Sequence, residues 1–220
     1  MHKRFQATMF GVLWCSMLAL AQDHRKGVDV SVEQFGKNTA QPLLILLHGV
    51  GGPSVFYRDQ ASFFAGHGYF VVLPHYMDAG QGNTASDRNY EAWADAVRNT
   101  MKKFQKDRSA TVIVGYSMGA SVALALGSEG NGPDAIAEFY GSLPDKYFRD
   151  LKGMPPLLIL HGARDTNIPV ENALQLSTLC DQASLDCQVH IYPAEEHGFA
   201  PSTMKDADQR VLEFFAAKLH

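Results

Sequence analysis

Residues 110–126 constrain the fold more than any other part of the chain, because they predict a strand, a tight turn and a helix in direct succession. The run 110–114 is apolar and β-branched, as in a buried strand, and 120–126 is typical of a helix. Between them lies Gly115-Tyr-Ser117-Met-Gly119. Glycines two residues before and after a serine allow backbone approaches that a Cβ would block, and such a turn holds the hydroxyl exposed. Ser117 is therefore a candidate nucleophile.

Apolar strands alternate with amphipathic helices along the rest of the chain. This order predicts an α/β protein with a mostly parallel central sheet and helices on both faces. In such sheets functional residues gather at the carboxyl ends of the strands. Besides the strand before Ser117, the predicted strands are 28–35 (an edge strand), 43–47, 69–73, 135–140, 157–161 and 188–192. Helices are predicted after caps at Ser54 and Asn89, from about 169 to 180, and around the apolar residues Ala207, Val211, Phe215 and Leu219. Residues 75–88 are predicted to form a long polar loop.

Ser117 needs a general base, since a neutral hydroxyl is a weak nucleophile. His197 follows the strand at 188–192, and Asp165 follows the strand at 157–161. The order Ser117, Asp165, His197 is the one this type of fold requires, with aspartate orienting the imidazole. Asp145 and Glu138 are alternative acids, although Glu138 lies within a strand rather than after it.

The developing oxyanion needs backbone donors beside the nucleophile. Met118 offers an N–H at the start of a helix, where the dipole favours negative charge. The glycine-rich turn 48–52 follows a neighbouring strand, and its Val50 N–H is the predicted second donor.

Charge and histidine spacing argue against other kinds of partner. A formal net charge of −4 without a basic run disfavours nucleic acid and anionic membranes. His48, His75 and His161 each follow a strand, but they lack the spacing and carboxylate companion of strong zinc motifs. We therefore expect a small-molecule substrate and no metal or organic cofactor.

The first residues are typical of a secretory signal peptide. Lys3 and Arg4 precede an apolar stretch at 9–20, and Ala19-Leu-Ala21 gives a cleavage signal. This predicts a signal peptide at 1–21, a single domain at 22–220 and export to the periplasm or the medium; an uncleaved anchor is the alternative. In an oxidising compartment Cys180 and Cys187 are expected to form a disulfide, with two buried free thiols as the other interpretation.

Four motifs together resemble the dienelactone hydrolase-like group of α/β-hydrolases. They are Leu-Leu-His48-Gly49, Gly115-Tyr-Ser117-Met-Gly119, Leu160-His-Gly-Ala-Arg-Asp165 and Glu196-His197-Gly-Phe199. The resemblance covers about residues 40–219 and implies nucleophile, acid and base roles for Ser117, Asp165 and His197. Founding members of the group carry cysteine at the position of Ser117 and glutamate at that of Gly49. A serine carboxylesterase of the same fold is therefore expected rather than a true dienelactone hydrolase.

The connection 141–155 is too short for a helical cap, so we expect no large lid and a site shaped by loops. The candidate pocket residues are Tyr76, Tyr116, Tyr140 and Phe199. The predicted function is hydrolysis of a small carboxylic ester through an acyl-enzyme. A thioester, peptide or lactone hydrolase on the same residues remains open, as does a non-catalytic binding protein.

Overall fold

The computed structural model describes residues 28–130, 132–148 and 151–219. The signal peptide predicted at 1–21 lies outside these residues. Across the described ranges, no helix combines the length and apolar character needed to cross a bilayer.

A seven-stranded sheet forms the centre of the domain. Its spatial order is β1-β3-β2-β4-β5-β6-β7, and every neighbouring pair is parallel except β1 with β3. The α/β class and the mostly parallel sheet predicted from the sequence are therefore confirmed. The strands are β1 Val32–Phe35, β2 Leu43–Leu47, β3 Phe70–Pro74, β4 Thr111–Tyr116, β5 Ala135–Phe139, β6 Leu157–Gly162 and β7 Cys187–Tyr192.

Helices cover both faces of the sheet, as the alternating sequence pattern predicts. They are α1 Val55–Gly66, α2 Asp87–Phe104, α3 Met118–Ser128, α4 Glu171–Ala183 and α5 Pro201–Lys218. One apolar core packs against α2, α3 and α4, and the other against α1 and α5. Because β2 to β6 are buried on both faces, their sequences are continuously apolar rather than alternating.

Two predicted boundaries were wrong. The first strand does not extend over 28–35, because only Val32–Phe35 pairs with β3. The cap of α2 is Ser86 and not Asn89: the Ser86 hydroxyl oxygen accepts a hydrogen bond from the Asn89 amide at 3.3 Å. The Asn89 side chain instead bonds the backbone of Gln81 and Thr84, so it fixes the loop before the helix.

The connection between β5 and β6 carries no lid in its described part, residues 140–148 and 151–156. Its one helical feature there is the short 3₁₀ helix Asp145–Tyr147. The loop predicted at 75–88 also contains a 3₁₀ helix, Tyr76–Ala79, directly after β3. The carboxyl edge of the sheet is therefore shaped by loops and short turns.

Cys180 and Cys187 are joined by a disulfide, with their Cα atoms 6.1 Å apart. Cys180 lies near the end of α4 and Cys187 begins β7, so the bond ties the helix to the strand that follows it. This connection lies at the amino end of β7, at the opposite end of the strand from His197.

Candidate active site

The turn between β4 and α3 holds Ser117 in a conformation that few residues adopt. Its φ is 53° and its ψ is −119°, and its amide donates to the Phe139 carbonyl at 2.9 Å. A Cβ on Gly115 would lie 2.6 Å from the Gly119 carbonyl oxygen, and one on Gly119 would lie 2.4 Å from the Leu47 carbonyl oxygen. Both glycines are therefore required, and the surrounding backbone maintains the strained serine.

Ser117, His197 and Asp165 form a continuous hydrogen-bonded chain. Ser117 Oγ lies 2.8 Å from His197 Nε2, and His197 Nδ1 lies 2.8 Å from Asp165 Oδ2. The loops after β4, β6 and β7 supply one residue each, so the three side chains meet at the carboxyl edge of the sheet. This arrangement can move a proton from a serine hydroxyl to an imidazole.

The turn that follows Asp165 fixes the position of its carboxylate. Its Oδ1 accepts hydrogen bonds from the amides of Asn167 (2.8 Å) and Ile168 (2.9 Å), which leaves Oδ2 for His197. The carboxylate is fully buried, whereas the His197 side chain is 21% exposed. A buried carboxylate that accepts three hydrogen bonds is fixed in position and can orient the ring beside it.

The alternative acids do not reach His197. Glu138 lies in β5, and its carboxylate accepts a hydrogen bond from the Gly141 amide at 2.8 Å. Burial raises the pKa of Glu138 to about 8, so this carboxyl is mostly neutral at pH 7. Asp145 is exposed in the 3₁₀ helix between β5 and β6. Of the three candidates, Asp165 alone contacts the imidazole.

His161 is a neighbour of the acid that the sequence did not assign to the site. Its Nε2 lies 3.5 Å from Asp165 Oδ2 and donates a hydrogen bond to the Ile168 carbonyl at 2.8 Å. Burial lowers the pKa of His161, which favours the neutral ring. The residue therefore supports the turn that carries Asp165.

The three histidines considered as a metal site are each bound to a different partner. His48 Nδ1 lies 2.8 Å from the Gly49 carbonyl oxygen, and His75 Nε2 lies 3.0 Å from Glu33. His161 is engaged with Ile168. In the described part of the chain, no three His, Cys, Asp or Glu side chains are grouped so that they could hold a metal ion.

Two backbone amides beside Ser117 are available to a negatively charged oxygen. Met118 is the first residue of α3, and Val50 lies in the turn between β2 and α1. Within the residues that the structure describes, neither N–H donates a hydrogen bond. The Val50 turn is braced by neighbouring contacts: the Tyr57 hydroxyl accepts from the Gly49 amide at 2.9 Å, and the Tyr76 hydroxyl donates to the His48 carbonyl at 2.7 Å.

A cleft opens on both sides of Ser117. One side is a cavity of about 380 Å³ with an aromatic wall, and the other is a cavity of about 380 Å³ with smaller residues. Both sides include Val50, Ser117 and His197. The aromatic side is lined by Phe56, Tyr57, Tyr140, Phe199 and Met204, and the other side by Ala85, Tyr90, Ser121, Ser142, Asn167 and Ile168.

Two of the four predicted pocket residues do not line the cleft. Tyr76 and Tyr116 are both 0% exposed, and each hydroxyl has a partner in the core: His48 for Tyr76, and Gln60 for Tyr116. They support the site from within. Tyr140 and Phe199 do line the cleft, and the Tyr140 ring lies 4.9 Å from the His197 ring, centroid to centroid.

The sequence did not identify Phe56, Tyr57 and Met204 as pocket residues. Phe56 and Tyr57 were expected only as members of the helix that follows Ser54. Their position directly after the glycine-rich turn 48–52 was the available signal, since the first turn of a helix that follows an active-site loop lies beside that loop. For Met204, in α5, no sequence signal was available.

Comparison with known proteins shows which families and folds this chain resembles. The model of the dienelactone hydrolase family matches residues 32–218. A protein of Salmonella typhimurium provisionally named a carboxymethylenebutenolidase is 24% identical over 211 residues, covering 80% of this chain and 77% of that protein. Human protein ABHD8 is 29% identical over 119 residues, or 47% of this chain, and the match spans only 27% of the length of ABHD8.

Solved structures share the fold at low sequence identity. The esterase PE8 superposes with a TM-score of 0.69 and 20% identity, over 85% of this chain and all of that one. An acetyl ester-xyloside bifunctional hydrolase from Caldicellulosiruptor lactoaceticus gives a TM-score of 0.71 at 15% identity, over 84% of this chain and 87% of the other.

Proposed function

Since the chain belongs to the dienelactone hydrolase family, we propose that it is a serine hydrolase that cleaves carboxylic esters through an acyl-enzyme. The observation that carries this proposal is the hydrogen-bonded chain from Ser117 through His197 to Asp165, with both links at 2.8 Å. A serine with a base in contact, and an acid behind the base, is the arrangement that nucleophilic acyl transfer requires.

In the first half of the reaction, Ser117 Oγ attacks the ester carbonyl carbon and its proton passes to His197 Nε2. The carbonyl oxygen becomes an oxyanion, which the Val50 and Met118 amides bind. Asp165 stabilises the imidazolium without taking the proton itself. The bond between carbon and the leaving oxygen then breaks, and His197 returns the proton to the alcohol.

In the second half, water replaces the alcohol. His197 removes a proton from the water, whose oxygen attacks the acyl carbon attached to Ser117. The second tetrahedral intermediate collapses with the proton returning to Ser117 Oγ, and the carboxylic acid leaves. Every step uses groups of this chain and one water molecule.

The cleft favours a small ester with an apolar or aromatic group. Its aromatic wall offers rings from α1 and from the segments after β5 and β7, and its volume of about 380 Å³ suits a short or medium-length group. The described part of the connection between β5 and β6 leaves the cleft open to water, which suits soluble substrates better than long lipid chains. Because the chain belongs to the dienelactone hydrolase family, a lactone, which is a cyclic ester, should also be tested as a substrate.

The test is hydrolysis of 4-nitrophenyl esters with acyl chains from acetate to laurate, together with a simple lactone, by the wild type and Ser117→Ala. We expect turnover that is lost in the variant and highest for short or aromatic acyl groups. A folded protein without turnover on any of these substrates, and without labelling by a fluorophosphonate probe, would contradict the proposal and favour a binding protein on this scaffold.

We also propose that the protein is exported. The basic and apolar residues at 1–21 support this proposal, and so does the bond between Cys180 and Cys187, because structural disulfides persist in oxidising compartments. The mass of the protein recovered from the periplasm or the medium should correspond to a chain that starts at residue 22. Recovery of the full-length chain from the membrane fraction would favour the uncleaved anchor.

A further inference from the structure

One phenol hydroxyl beside the nucleophile has no role in the reaction described so far. Tyr57 lies in the first turn of α1 and lines the aromatic side of the cleft. Its oxygen accepts a hydrogen bond from the Gly49 amide at 2.9 Å. A phenol that accepts one hydrogen bond still has its own hydrogen to donate. Among the residues that the structure describes, no group accepts that hydrogen.

The Tyr57 oxygen and Ser117 both lie close to the Cα of Gly49. A carbon atom added to Gly49 would lie 2.8 Å from the Tyr57 oxygen and 3.5 Å from Ser117 Cβ. Because 2.8 Å is too short for a carbon atom beside an oxygen, a side chain at position 49 would displace the phenol, and the glycine lets the phenol oxygen lie near the nucleophile. The residue after this glycine is Val50, whose amide is a proposed donor to the oxyanion.

Tyr76 and Tyr116, which lie in the core behind the site, do not offer a hydrogen in this way. The hydrogens of Tyr76 and Tyr116 are donated within the core, to the His48 carbonyl and to Gln60. Burial raises the pKa of the Tyr57 hydroxyl, although its hydrogen bond with Gly49 opposes part of the effect. Tyr57 is therefore a neutral donor throughout the pH range in which a histidine base can act.

We propose that the Tyr57 hydroxyl donates a third hydrogen bond to the oxyanion, beside the amides of Val50 and Met118. The inference rests on the proposed esterase function. The Gly49 amide fixes the phenol oxygen before substrate arrives, so no reorganisation is needed as negative charge develops on the carbonyl oxygen. Tyr57 thereby binds the tetrahedral intermediate more strongly than the planar ester, which lowers the barrier rather than KM.

The test compares two tyrosines that brace the same turn. Tyr57→Phe removes an acceptor for Gly49 and the proposed donor to the oxyanion. Tyr76→Phe removes the hydrogen bond to the carbonyl of His48, the residue before Gly49, and the Tyr76 side chain does not reach the cleft. For both variants and the wild type, kcat and KM for 4-nitrophenyl butyrate are measured, with the dissociation constant of phenylboronic acid. This acid forms a negatively charged tetrahedral adduct with a reactive serine.

For Tyr57→Phe, kcat should fall about 10- to 100-fold, because single oxyanion donors are typically worth that much or more. KM should stay within about twofold, since the interaction is made mainly in the transition state. Phenylboronic acid should bind more weakly by a factor similar to the loss in kcat. Tyr76→Phe should lower the melting temperature and should reduce kcat and boronate affinity much less than Tyr57→Phe does.

Two results of these assays would overturn this inference alone. The first is a kcat of Tyr57→Phe equal to that of the wild type. The second is an equal loss of kcat and of boronate affinity in Tyr57→Phe and Tyr76→Phe, which would mean that each hydroxyl only braces the turn. Hydrolysis that depends on Ser117 but not on Tyr57 would leave the esterase function intact. A wild type that neither hydrolyses esters nor binds the boronate would overturn both proposals together.

If Tyr57→Phe does not fold, a crystal structure of the wild-type boronate adduct tests whether Tyr57 donates a hydrogen bond to the oxyanion. The expected result is the Tyr57 oxygen within hydrogen-bonding distance of the adduct oxygen that the Val50 and Met118 amides bind. An adduct oxygen held by the two amides alone, with the phenol still bound only to Gly49, would contradict the inference.

Discussion

Replacing Asp165 by asparagine should disable the base while leaving the fold intact. Asp165 Oδ1 accepts two backbone hydrogen bonds, from Asn167 and Ile168, and an asparagine carbonyl can accept both. The amide nitrogen of the new side chain would then face His197 Nδ1, which lies 2.8 Å from Oδ2 in the wild type. Because two donors cannot bond to each other, the imidazole must turn an unprotonated Nδ1 toward the asparagine. Its Nε2 then carries the hydrogen and cannot accept the proton of Ser117.

The expected loss of kcat follows from this change of tautomer. Loss of the correct tautomer in such a triad typically lowers kcat by about 10⁴-fold. That factor corresponds to about 5.4 kcal/mol in the activation free energy. The melting temperature should change little, because the two backbone hydrogen bonds that close the turn remain.

The assay is kcat for 4-nitrophenyl butyrate at pH 7, and the matched control is Glu138→Gln. Glu138 is the other buried carboxyl considered as the acid, and its pKa of about 8 keeps it mostly neutral at this pH. Glutamine can still accept the hydrogen bond of the Gly141 amide, so this control should retain activity within about threefold. An active Asp165→Asn variant, or an inactive Glu138→Gln variant of normal stability, would refute the reasoning.

Three further predictions concern stability. Burial raises the pKa of Glu138 to about 8, so between pH 4.5 and pH 8 the folded state binds more protons than the unfolded state. The free energy of unfolding should therefore decrease by at most about 1.4 kcal/mol per pH unit over this range. Glu138→Gln should lack this decrease in urea titrations from pH 5 to 9, and an equal pH dependence in the two proteins would contradict the raised pKa. Gly119→Ala places a Cβ 2.4 Å from a carbonyl oxygen of β2, so it should lower the free energy of unfolding by about 1–3 kcal/mol and abolish activity. Gly66→Ala is the control: a Cβ there meets nothing within 4 Å, so this variant should match the wild type in thermal unfolding. Replacing Cys180 and Cys187 together by alanine should lower the free energy of unfolding by about 2–3 kcal/mol, as expected for a short closed loop, and leave kcat unchanged; equal urea midpoints would show that the bond contributes nothing.

The sequence predicted the central elements because their physical signals are local. A β-branched run followed by glycine, serine and glycine at fixed spacing defines the turn at Ser117. Asp165 and His197 were expected near Ser117 because each follows a predicted strand, and parallel strands bring their carboxyl ends to one edge. These signals require only the order and burial of the strands.

Side-chain direction was harder to predict. Tyr76 also follows a strand, but the 3₁₀ helix that begins there turns its ring onto His48, with centroids 4.6 Å apart. Tyr116 lies in β4 with Val112 and Val114, and all three pack into the same core. That alternation of side chains along a strand was available in the sequence and would have placed Tyr116 in the core. Whether Tyr57 reaches the cleft depends on the angle at which α1 leaves the turn, and no local pattern encodes that angle.

We propose that Ser117 carries the acyl group during turnover. The most direct measurement is mass spectrometry of the protein quenched during hydrolysis of 4-nitrophenyl acetate, followed by mapping of the modified peptide. We expect one acetyl group on the peptide that contains Ser117, and neither adduct nor turnover in Ser117→Ala. Turnover that continues in Ser117→Ala, or an acetyl group carried by another residue of the active wild type, would contradict it.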